Sequence, residues 1–459
     1  MMKLDVTLAD SQEAPEPTIR RNSQSFESLL EKIEDRTAKV AVVGLGNVGL
    51  SLARSVAATG FKVLGIDLDP DRVNSLNQGK SYLINIPEDQ IKDLVAQGVL
   101  EASADFGRIA EADVALVCVP TPLDDNRQPN LAHVDVAARA IADNLSPGKF
   151  VMLESTSFPG TTSEQVLPAL EKSGLTARED FFVAYSPMRE DPGVAGRSLA
   201  DIPKVVGADG AEAMQLAQAF YRQIVPKVVP VSSTETAEAV KLVENIYRAV
   251  NIALANELKI IFEAMGIDIW EVMDAAATKP FGFQPFYPGP GLGGHCIPVD
   301  PSYLTFKARQ YGLQTQFIEL ACRVNDAMPA WVVDRLAQAM ELRGKPLVGA
   351  KVMVIGVAYK KNVEDVRESP ALKMLRLLAD RGAVIGYYDP HVPSLAKATD
   401  DPQLAPLTST PLGGLDAAVI CTDHDAIDYD HVLATAALVV DTRNVYGRRG
   451  IADARIVKA

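Results

Sequence analysis

Short apolar runs rich in valine, isoleucine and leucine alternate with amphipathic stretches along most of this chain. Apolar runs of this kind are Lys39–Val43, Phe61–Asp67, Val114–Val119 and Phe150–Leu153, and helical patterns cover Ser25–Glu34 and Leu50–Thr59. Strands that are apolar at successive positions are typical of parallel sheets that are buried on both faces. The pattern up to about residue 210 therefore predicts an α/β domain whose sheet is covered by helices.

The middle of the chain has a different pattern. Apolar residues recur at helical spacing over 234–265 before Gly266, which predicts a helix roughly 45 Å long at ~1.5 Å per residue. A second alternating series begins at Lys351, with a helix over Ala371–Arg381 and strands at Ala383–Asp389, Ala417–Cys421 and Leu438–Asp441. We therefore expect four segments: an extension with a lead-in helix (1–36), an α/β domain (37–232), a helical middle part (233–330) and a second α/β domain (331–459).

Composition and charge exclude several classes of protein. A formal net charge of −14 argues against nucleic acid or an anionic membrane surface as the main partner, so an anionic substrate needs local positive contacts. The four cysteines are scattered and lack metal-site spacing, which favours a reduced, cytoplasmic protein without a bound metal. The polar N-terminus and the lack of an apolar run of 18 residues predict neither a signal peptide nor a membrane span.

A glycine-rich turn follows the first predicted strand. Gly44, Gly46 and Gly49 form a Gly-x-Gly-x-x-Gly motif that opens a helix, and Asp67 ends the next strand. Such a turn allows close approach of a pyrophosphate to the helix start, and the acidic residue accepts hydrogen bonds from a ribose. The alternative is a glycine-rich turn without a ligand, but the strand–turn–helix context favours a Rossmann-like domain that binds NAD rather than NADP.

Cys296 lies in a second glycine-rich segment, Pro285–Asp300, which is too rich in glycine and proline for a regular helix or strand. A thiol in such a loop suits a nucleophile, whereas a buried structural cysteine is the usual alternative. Adjacent side chains in an extended loop point apart, so we do not expect His295 to act as its base. Asp300 follows the thiol by four residues.

Lys241 and Asn245 are four residues apart on the predicted long helix, and Arg248 lies on the same side. By pattern alone this is an ordinary solvated helix face. If it faces a cleft between the two domains, it would instead hold an anionic or oxyanionic substrate. Together with NAD and a thiol nucleophile, such a stripe indicates a four-electron oxidation of an alcohol to a carboxylate through a thiohemiacetal and a thioester.

The chain resembles the UDP-glucose/GDP-mannose dehydrogenase family over nearly all of residues 37–450. The segments 241–258 and 279–301 are most similar to UDP-N-acetylglucosamine 6-dehydrogenases. The resemblance implies two Rossmann-like parallel-sheet domains joined by a long central helix, the first binding NAD and the second a UDP-sugar. It also implies a homodimer formed through the central helix and a role in making precursors of surface polysaccharides.

The resemblance also assigns roles to individual residues. The implied catalytic residues are Cys296 as nucleophile, Lys241 and Asn245 as oxyanion contacts, Asp300 in proton transfer and Thr156 in positioning water. The implied NAD contacts are Gly44, Leu45, Gly46, Asn47, Val48, Gly49, Asp67, Arg72, Thr121, Ser155, Thr156 and Arg367. The implied UDP-sugar contacts are Arg189, Lys241, Asn245, Arg248, the loop from Tyr287 through Gly289 and Gly291 to Gly293, and Tyr359, Lys360 and Arg443.

Two positions depart from the family pattern. Met188 stands in Ser-Pro-Met-Arg where the family has a glutamate that assists thioester hydrolysis, and Asn47 stands where many relatives have tyrosine. A thioether cannot accept a proton, so Asp300 or Glu190 would have to replace the glutamate. Three hypotheses follow: oxidation of UDP-N-acetylglucosamine, the same chemistry on UDP-N-acetylmannosamine or UDP-glucose, or binding of a nucleotide sugar with impaired turnover.

Overall fold

The structure is a computed structural model that describes residues 23–83, 86–124, 126–189, 201–294, 297–396, 398–411 and 413–459. Its first sheet has the strand order β3-β2-β1-β4-β5-β6-β7-β8. The strands are β1 (Lys39–Val43), β2 (Lys62–Ile66), β3 (Leu100–Ser103), β4 (Val114–Val117), β5 (Lys149–Leu153), β6 (Phe181–Tyr185), β7 (Lys204–Ala208) and β8 (Val228–Pro230). The predicted βαβ unit at the start of this sheet is confirmed.

One pairing in the first sheet is not parallel. Strand β7 runs antiparallel to β6, with Tyr185 opposite Gly207, while the other neighbouring strands are parallel. Ser186, directly after β6, donates from Oγ to the carbonyl oxygen of Val205 at 2.7 Å. This bond adds a side-chain contact to the antiparallel pairing of the two strands.

Helices cover both faces of this sheet, and an apolar core lies on each side. They are α1 (Ser23–Glu34), α2 (Asn47–Ala58), α3 (Pro70–Asn77), α4 (Glu88–Ala96), α5 (Ala132–Ala142), α6 (Leu167–Glu171) and α7 (Ala211–Arg222), with a 3₁₀ turn at Phe106–Glu111 and a π-helical turn at Thr162–Val166. Because both faces are buried, the strands carry apolar residues at nearly every position, as the sequence indicates.

In the described residues of the middle part, the helices are α8 (Thr234–Ala264), α9 (Ile269–Ala277), α10 (Asp300–Gln310) and α11 (Gln316–Glu341). The predicted long helix is confirmed as α8, whose start is capped by the Ser233 hydroxyl accepting from the Thr236 N–H. Helix α11 packs along α8 and continues past residue 330 in spite of Pro329. These two helices connect the two sheets.

The second sheet is fully parallel, with the order β10-β9-β11-β12-β13. Its strands are β9 (Lys351–Ile355), β10 (Val384–Tyr388), β11 (Ala417–Ile420), β12 (Val439–Asp441) and β13 (Ile456–Lys458), and its helices are α12 (Pro370–Asp380), α13 (Tyr429–Thr435) and α14 (Val445–Arg448). The fold is therefore the predicted one, two Rossmann-like domains joined by a long central helix. No helix in the described ranges is long and apolar enough to cross a membrane.

Candidate active site

The turn between β1 and α2 has the geometry of a nucleotide-binding turn. Gly44 has a φ of +92°, and a Cβ added there would lie 2.8 Å from the carbonyl oxygen of Cys118. A Cβ on Gly49 would overlap the carbonyl oxygen of Gly44, whereas one on Gly46 would have no heavy atom within 4 Å. Two glycines therefore close the turn and the third leaves space beside the helix start, as a pyrophosphate requires.

Asp67 closes the other side of this turn from the end of β2. Asp67 is buried, and its carboxylate accepts from the N–H groups of Leu45 at 2.7 Å and Asp69 at 2.9 Å. Arg72 lies 3.4 Å from the same carboxylate. Because a carboxylate has about four acceptor positions, Asp67 retains capacity for ribose hydroxyls. The residues present fit a dinucleotide, with Asn47 and Val48 exposed at the first turn of α2.

The predicted residues that follow β4 and β5 lie at the same edge of the sheet, because these strands are parallel neighbours of β1. Ser155 donates from Oγ to the carbonyl oxygen of Val119 at 2.8 Å, and half-buried Thr156 comes next. Thr121 is buried, and its carbonyl oxygen accepts from the Tyr303 hydroxyl at 2.5 Å. The structure thus brings Thr121, Ser155 and Thr156 to the strand ends beside the nucleotide turn.

The start of α8 is fixed to this edge by a buried carboxylate. Glu238 is fully buried and accepts from the Gly160 N–H at 2.6 Å and from the N–H and hydroxyl of Thr162 at 2.9 and 2.7 Å. Burial raises the pKa of Glu238 to about 7, against the effect of these hydrogen bonds. The contact positions the following turn of α8 next to the segment that carries Thr156.

That next turn contributes a buried polar cluster. Lys241, Asn245 and Asp300 are 8, 5 and 1% exposed, and Asn245 Nδ2 lies 2.5 Å from Asp300 Oδ2. Lys241 Nζ donates to the carbonyl oxygen of Met188 at 2.8 Å. Burial raises the pKa of the Asp300 carboxyl to about 7, although the Lys241 charge and the Asn245 amide both oppose the shift. The helix face that the sequence left ambiguous is therefore buried and polar.

Met188 contributes its backbone to this cluster but not its side chain. The side chain is 7% exposed and belongs to the apolar core of the first domain. The predicted nucleophile Cys296, its neighbour His295, residue Glu190 and the N-terminal residues 1–22 lie outside the described residues. Their roles stay predictions from the sequence.

Two arginines beside the cluster were predicted to contact the substrate. Arg189 pairs through Nε and Nη2 with Glu244 of α8, Nε lying 3.1 Å from a carboxylate oxygen, and it donates from Nη1 to the carbonyl oxygen of Pro203 at 2.8 Å. Arg248 is half-buried on α8. Arg189 therefore connects α8 to the residue that precedes β7, and its role toward a substrate stays a prediction.

The glycine-rich loop before residue 295 packs against the second domain. A Cβ added at Gly289 would lie 2.8 Å from an Arg443 guanidinium nitrogen, and one at Gly293 would lie 2.7 Å from Tyr359 Cβ. Gly291 has a φ of +126°. Only glycines allow the loop to approach Arg443 and Tyr359 this closely, so the predicted sugar-binding residues of both parts are brought together.

Further contacts hold the ends of this loop. Tyr287 donates its hydroxyl to Asp274 at 2.6 Å, and the Arg448 guanidinium lies 5.4 Å from its ring centre. The Gly294 N–H donates to the carbonyl oxygen of Arg367 at 2.9 Å, and the Arg367 guanidinium pairs with Asp365. Lys360 is half-buried beside Tyr359. Tyr287, Lys360 and Arg367 thus lie around the contact between the loop and the second domain.

Sequence reasoning missed Asn256, which holds the loop from the central helix. Its Oδ1 accepts from the Gly289 N–H at 2.9 Å, and its Nδ2 donates to Asn325 Oδ1 at 2.9 Å. Asn256 lies eleven residues after Asn245, which is close to three helical turns and so the same face of α8. That spacing was a usable signal. Among the described residues, no group of three or more His, Cys, Asp or Glu side chains is arranged to hold a metal ion.

Comparison with known proteins agrees with a dehydrogenase that uses a nicotinamide cofactor. Three family models match in order: the NAD binding domain over 38–225, the central domain over 235–327 and the UDP binding domain over 353–448. The chain belongs to the UDP-glucose/GDP-mannose dehydrogenase family. Its cofactor is NAD, and its first α/β domain is the one that binds it.

Relatives of different sugar specificity are similar to the chain. A UDP-N-acetyl-D-glucosamine 6-dehydrogenase of Pseudomonas aeruginosa is 38% identical over 388 residues, which is 84% of this chain and 90% of that protein. The solved UDP-D-ManNAc dehydrogenase of Pyrococcus horikoshii is 32% identical with a TM-score of 0.80, over 88% of this chain and 95% of that one. A solved UDP-glucose dehydrogenase from Pyrobaculum islandicum is 28% identical with a TM-score of 0.79, over 90% of this chain and 95% of that one. Overall similarity therefore does not decide the sugar.

Proposed function

We propose that the protein is a UDP-N-acetylglucosamine 6-dehydrogenase that oxidises the C6 alcohol to the uronic acid, for use in surface polysaccharide precursors. The observation that carries this proposal is the buried cluster of Lys241, Asn245 and Asp300. Lys241 contacts the segment that follows β6 of the NAD domain, and Asp300 begins α10, the helix that follows the glycine loop. An ammonium, an amide and a carboxyl group in one buried site are the groups that an alcohol-to-acid oxidation needs.

Each residue has a part in the proposed chemistry. Lys241 stabilises the oxygen of C6 as the alcohol loses its proton to solvent. NAD held at the Gly44–Gly49 turn would supply the hydride acceptor, and a second NAD would replace the first NADH before the second oxidation. The Cys296 thiolate adds to the aldehyde carbon, and Lys241 and Asn245 stabilise the oxyanion of the thiohemiacetal. The second oxidation leaves a thioester on Cys296. Water then releases the carboxylate and returns the thiol.

Asp300 is the base we propose for the hydrolytic step. The Met188 side chain packs in the apolar core and offers no proton acceptor, whereas Asp300 is buried with a pKa raised to about 7. A carboxylate with a pKa near neutrality accepts a proton from water more readily than an ordinary aspartate does. Thr156, half-buried at the neighbouring strand end, would help to position that water.

The choice of sugar rests on the two segments 241–258 and 279–301. Oxidation of UDP-N-acetylmannosamine or UDP-glucose by the same residues is the alternative. The test is parallel assay of the three UDP-sugars with NAD, counting NADH and acid per sugar consumed. We expect two NADH per UDP-N-acetylglucosamine and the highest kcat/KM for that sugar. A higher kcat/KM for another UDP-sugar would make that sugar the assigned substrate. One NADH per sugar consumed, with release of free aldehyde, would contradict the four-electron reaction.

Met188 favours one second candidate, a nucleotide-sugar binder whose thioester hydrolysis is impaired. This candidate predicts a burst of NADH close to two equivalents per site, followed by very slow turnover. Met188→Glu would then increase steady turnover, with Met188→Gln as the matched control because glutamine is similar in size and cannot act as a base. Steady wild-type turnover that Met188→Glu does not increase would remove this candidate.

We also propose a cytoplasmic homodimer formed along α8. Val243, Tyr247 and Leu254 on this helix are 60, 48 and 51% exposed, although they are large apolar side chains. A second copy of the helix would cover them. Sedimentation should give twice the chain mass, and Leu254→Glu should shift it to the monomer; a monomeric wild type would contradict the proposal.

A further inference from the structure

Two charged side chains outside the cluster around Asp300 are buried together at the same edge of the first sheet. Glu154 follows β5 and Lys204 begins β7, and their side chains are 0 and 2% exposed. Lys204 Nζ lies 2.6 Å from Glu154 Oε2 and 4.9 Å from the ring centre of Tyr221. The chemistry proposed above uses neither charge.

Stability alone explains this pair poorly. When two charges leave water, the lost hydration offsets much of their attraction, so a buried ion pair adds little net stability. The pair is also incompletely satisfied, because Glu154 Oε1 is buried without a hydrogen-bond partner in the part of the chain that the structure describes. The backbone groups that the pair contacts are therefore more informative about its role than its contribution to stability.

Lys204 and Lys241 hold consecutive carbonyl groups of one segment. Lys204 Nζ donates to the carbonyl oxygen of Pro187 at 3.2 Å, and Lys241 Nζ donates to that of Met188 at 2.8 Å. The preceding residue, Ser186, is bound to both flanking strands, by its N–H to the carbonyl oxygen of Leu153 at 3.0 Å and by Oγ to β7. The segment that accepts from the Lys241 ammonium is thus also held by Lys204, one carbonyl group earlier.

The pair also adjoins the nucleotide turn. Burial and then the negative charge of Glu154 raise the pKa of the Cys118 thiol, and the carbonyl group of Cys118 packs under Gly44. Ser155, a predicted cofactor contact, follows Glu154 directly. One carboxylate therefore lies between the turn that binds the cofactor and the segment that holds Lys241.

We propose that Glu154 and Lys204 form a buried positioning pair, which fixes the Pro187–Met188 backbone and thereby the place of the Lys241 ammonium. This inference rests on the proposed function for its effect on rate. It does not make either residue a catalytic group, because neither contacts the reacting atoms. Its prediction is that disturbing the pair changes the chemical step and the accessibility of Lys241, with little change in substrate affinity.

The test uses the full chain and four variants. Lys204→Met removes the donor, Glu154→Gln/Lys204→Met replaces both charges with neutral side chains of similar size, and Lys204→Arg keeps a charged donor. Lys307→Met is the matched control, because Lys307 is a buried lysine paired with Glu164 whose contacts do not reach Met188. For each variant, we measure kcat and the KM values for the UDP-sugar and for NAD. Peptide mass spectrometry measures how far an amine-specific reagent acylates Lys241.

We expect a 10–100-fold lower kcat in the double variant, with KM within about threefold, because small misplacements of a catalytic group have effects of this size. Lys204→Arg should recover much of the rate, and Lys307→Met should not differ from the wild type. Acylation of Lys241 should rise at least fivefold in the double variant. Lys204→Met alone could fail to fold because it leaves the Glu154 charge buried without a partner. The double variant leaves no unpaired charge, so it can still be measured.

Three results would overturn the inference: unchanged kcat in a folded double variant, a change confined to KM, or unchanged acylation of Lys241. The acylation readout separates this inference from the proposed function. If the wild type produces no NADH with any UDP-sugar while Lys241 acylation still rises in the double variant, the proposed reaction fails and the positioning pair stands.

Discussion

Asp300→Asn is the substitution whose effects the structure specifies most fully. It removes a titrating group that is 1% exposed but keeps an oxygen that can accept from Asn245 at the same position. The side-chain size and the local hydrogen bond are therefore preserved. Changes in rate or stability then report the carboxyl group itself.

The effect on rate follows from the raised pKa. If ionised Asp300 activates water, the wild-type kcat falls below pH 7, by about tenfold for each pH unit once the group is protonated. Removal of a general base typically lowers the rate by ~10²–10⁴-fold. We therefore expect a kcat lower by that factor in Asp300→Asn and no inflection near pH 7.

Although Asp300→Asn should lower kcat, it should raise the free energy of unfolding above neutral pH. The pKa of Asp300 is about 7 in the folded protein, whereas an aspartate in an unfolded chain has a pKa near ~3.9. Between these values the folded state binds more protons, so wild-type stability falls as pH rises from about 4 to 7 and stays lower above that. The loss is on the order of 4 kcal/mol, and Asp300→Asn avoids it. Lys241 loses an opposite charge in the variant, so a smaller net gain is expected at pH 8 and none at pH 4.

The assays are steady-state NADH formation from pH 5.5 to 9 and denaturant unfolding at pH 4, 6 and 8. The account predicts a variant that is more stable at pH 8 and nearly inactive in turnover. Asn245→Asp is unsuitable as a control because it adds a charge, so the exposed Asp326→Asn serves instead. Two results would refute the reasoning. One is a pH profile of kcat that keeps its inflection near pH 7 in Asp300→Asn. The other is an unfolding free energy of the variant that, compared with wild type, is lower at pH 8 than at pH 4.

Other predictions concern the ammonium group and the nucleotide turn. Lys241→Ala should lower kcat by ~10²–10³-fold and change KM much less, because an oxyanion contact acts in the transition state; steady-state kinetics in which only KM changes would assign it to docking. Gly46→Ala should fold normally and lose affinity for NAD in calorimetric titration, since its Cβ meets no protein atom but occupies the space beside the turn. Gly49→Ala should lower the thermal midpoint, because its Cβ overlaps the carbonyl oxygen of Gly44; equal midpoints for the two variants would contradict the described turn.

The strands and the nucleotide turn were predictable because their signals are local. A strand buried on both faces is apolar throughout, and the Gly44–Gly49 spacing fixes a turn whose purpose depends on neighbouring residues only. The strand positions predicted around Lys39 and Lys351 accordingly agree with the structure to within a residue or two. Helix α11 was not predicted; it contains Pro329, a residue that normally ends a helical pattern, and its apolar face is defined by packing against α8.

The contacts that shape the site were not predictable, because they join residues distant in sequence through backbone atoms. The pattern around Lys241 is equally compatible with a solvated face, and only the fold brings the Met188 carbonyl to its ammonium. The sequence does not show that the pKa of Asp300 is raised, because the cause is burial in the folded protein. Lys204 and Glu154 similarly give no local sign of pairing, since they are 50 residues apart.

The most direct test of the proposed reaction is intact and peptide mass spectrometry of enzyme quenched during turnover with UDP-N-acetylglucosamine and NAD. The account predicts an acyl adduct of the nucleotide sugar on the peptide that contains Cys296, more abundant in Asp300→Asn and absent from Cys296→Ser, which should still bind NAD. Formation of two NADH per sugar with no adduct on Cys296 in any of these proteins, or with normal acid production by Cys296→Ser, would contradict it.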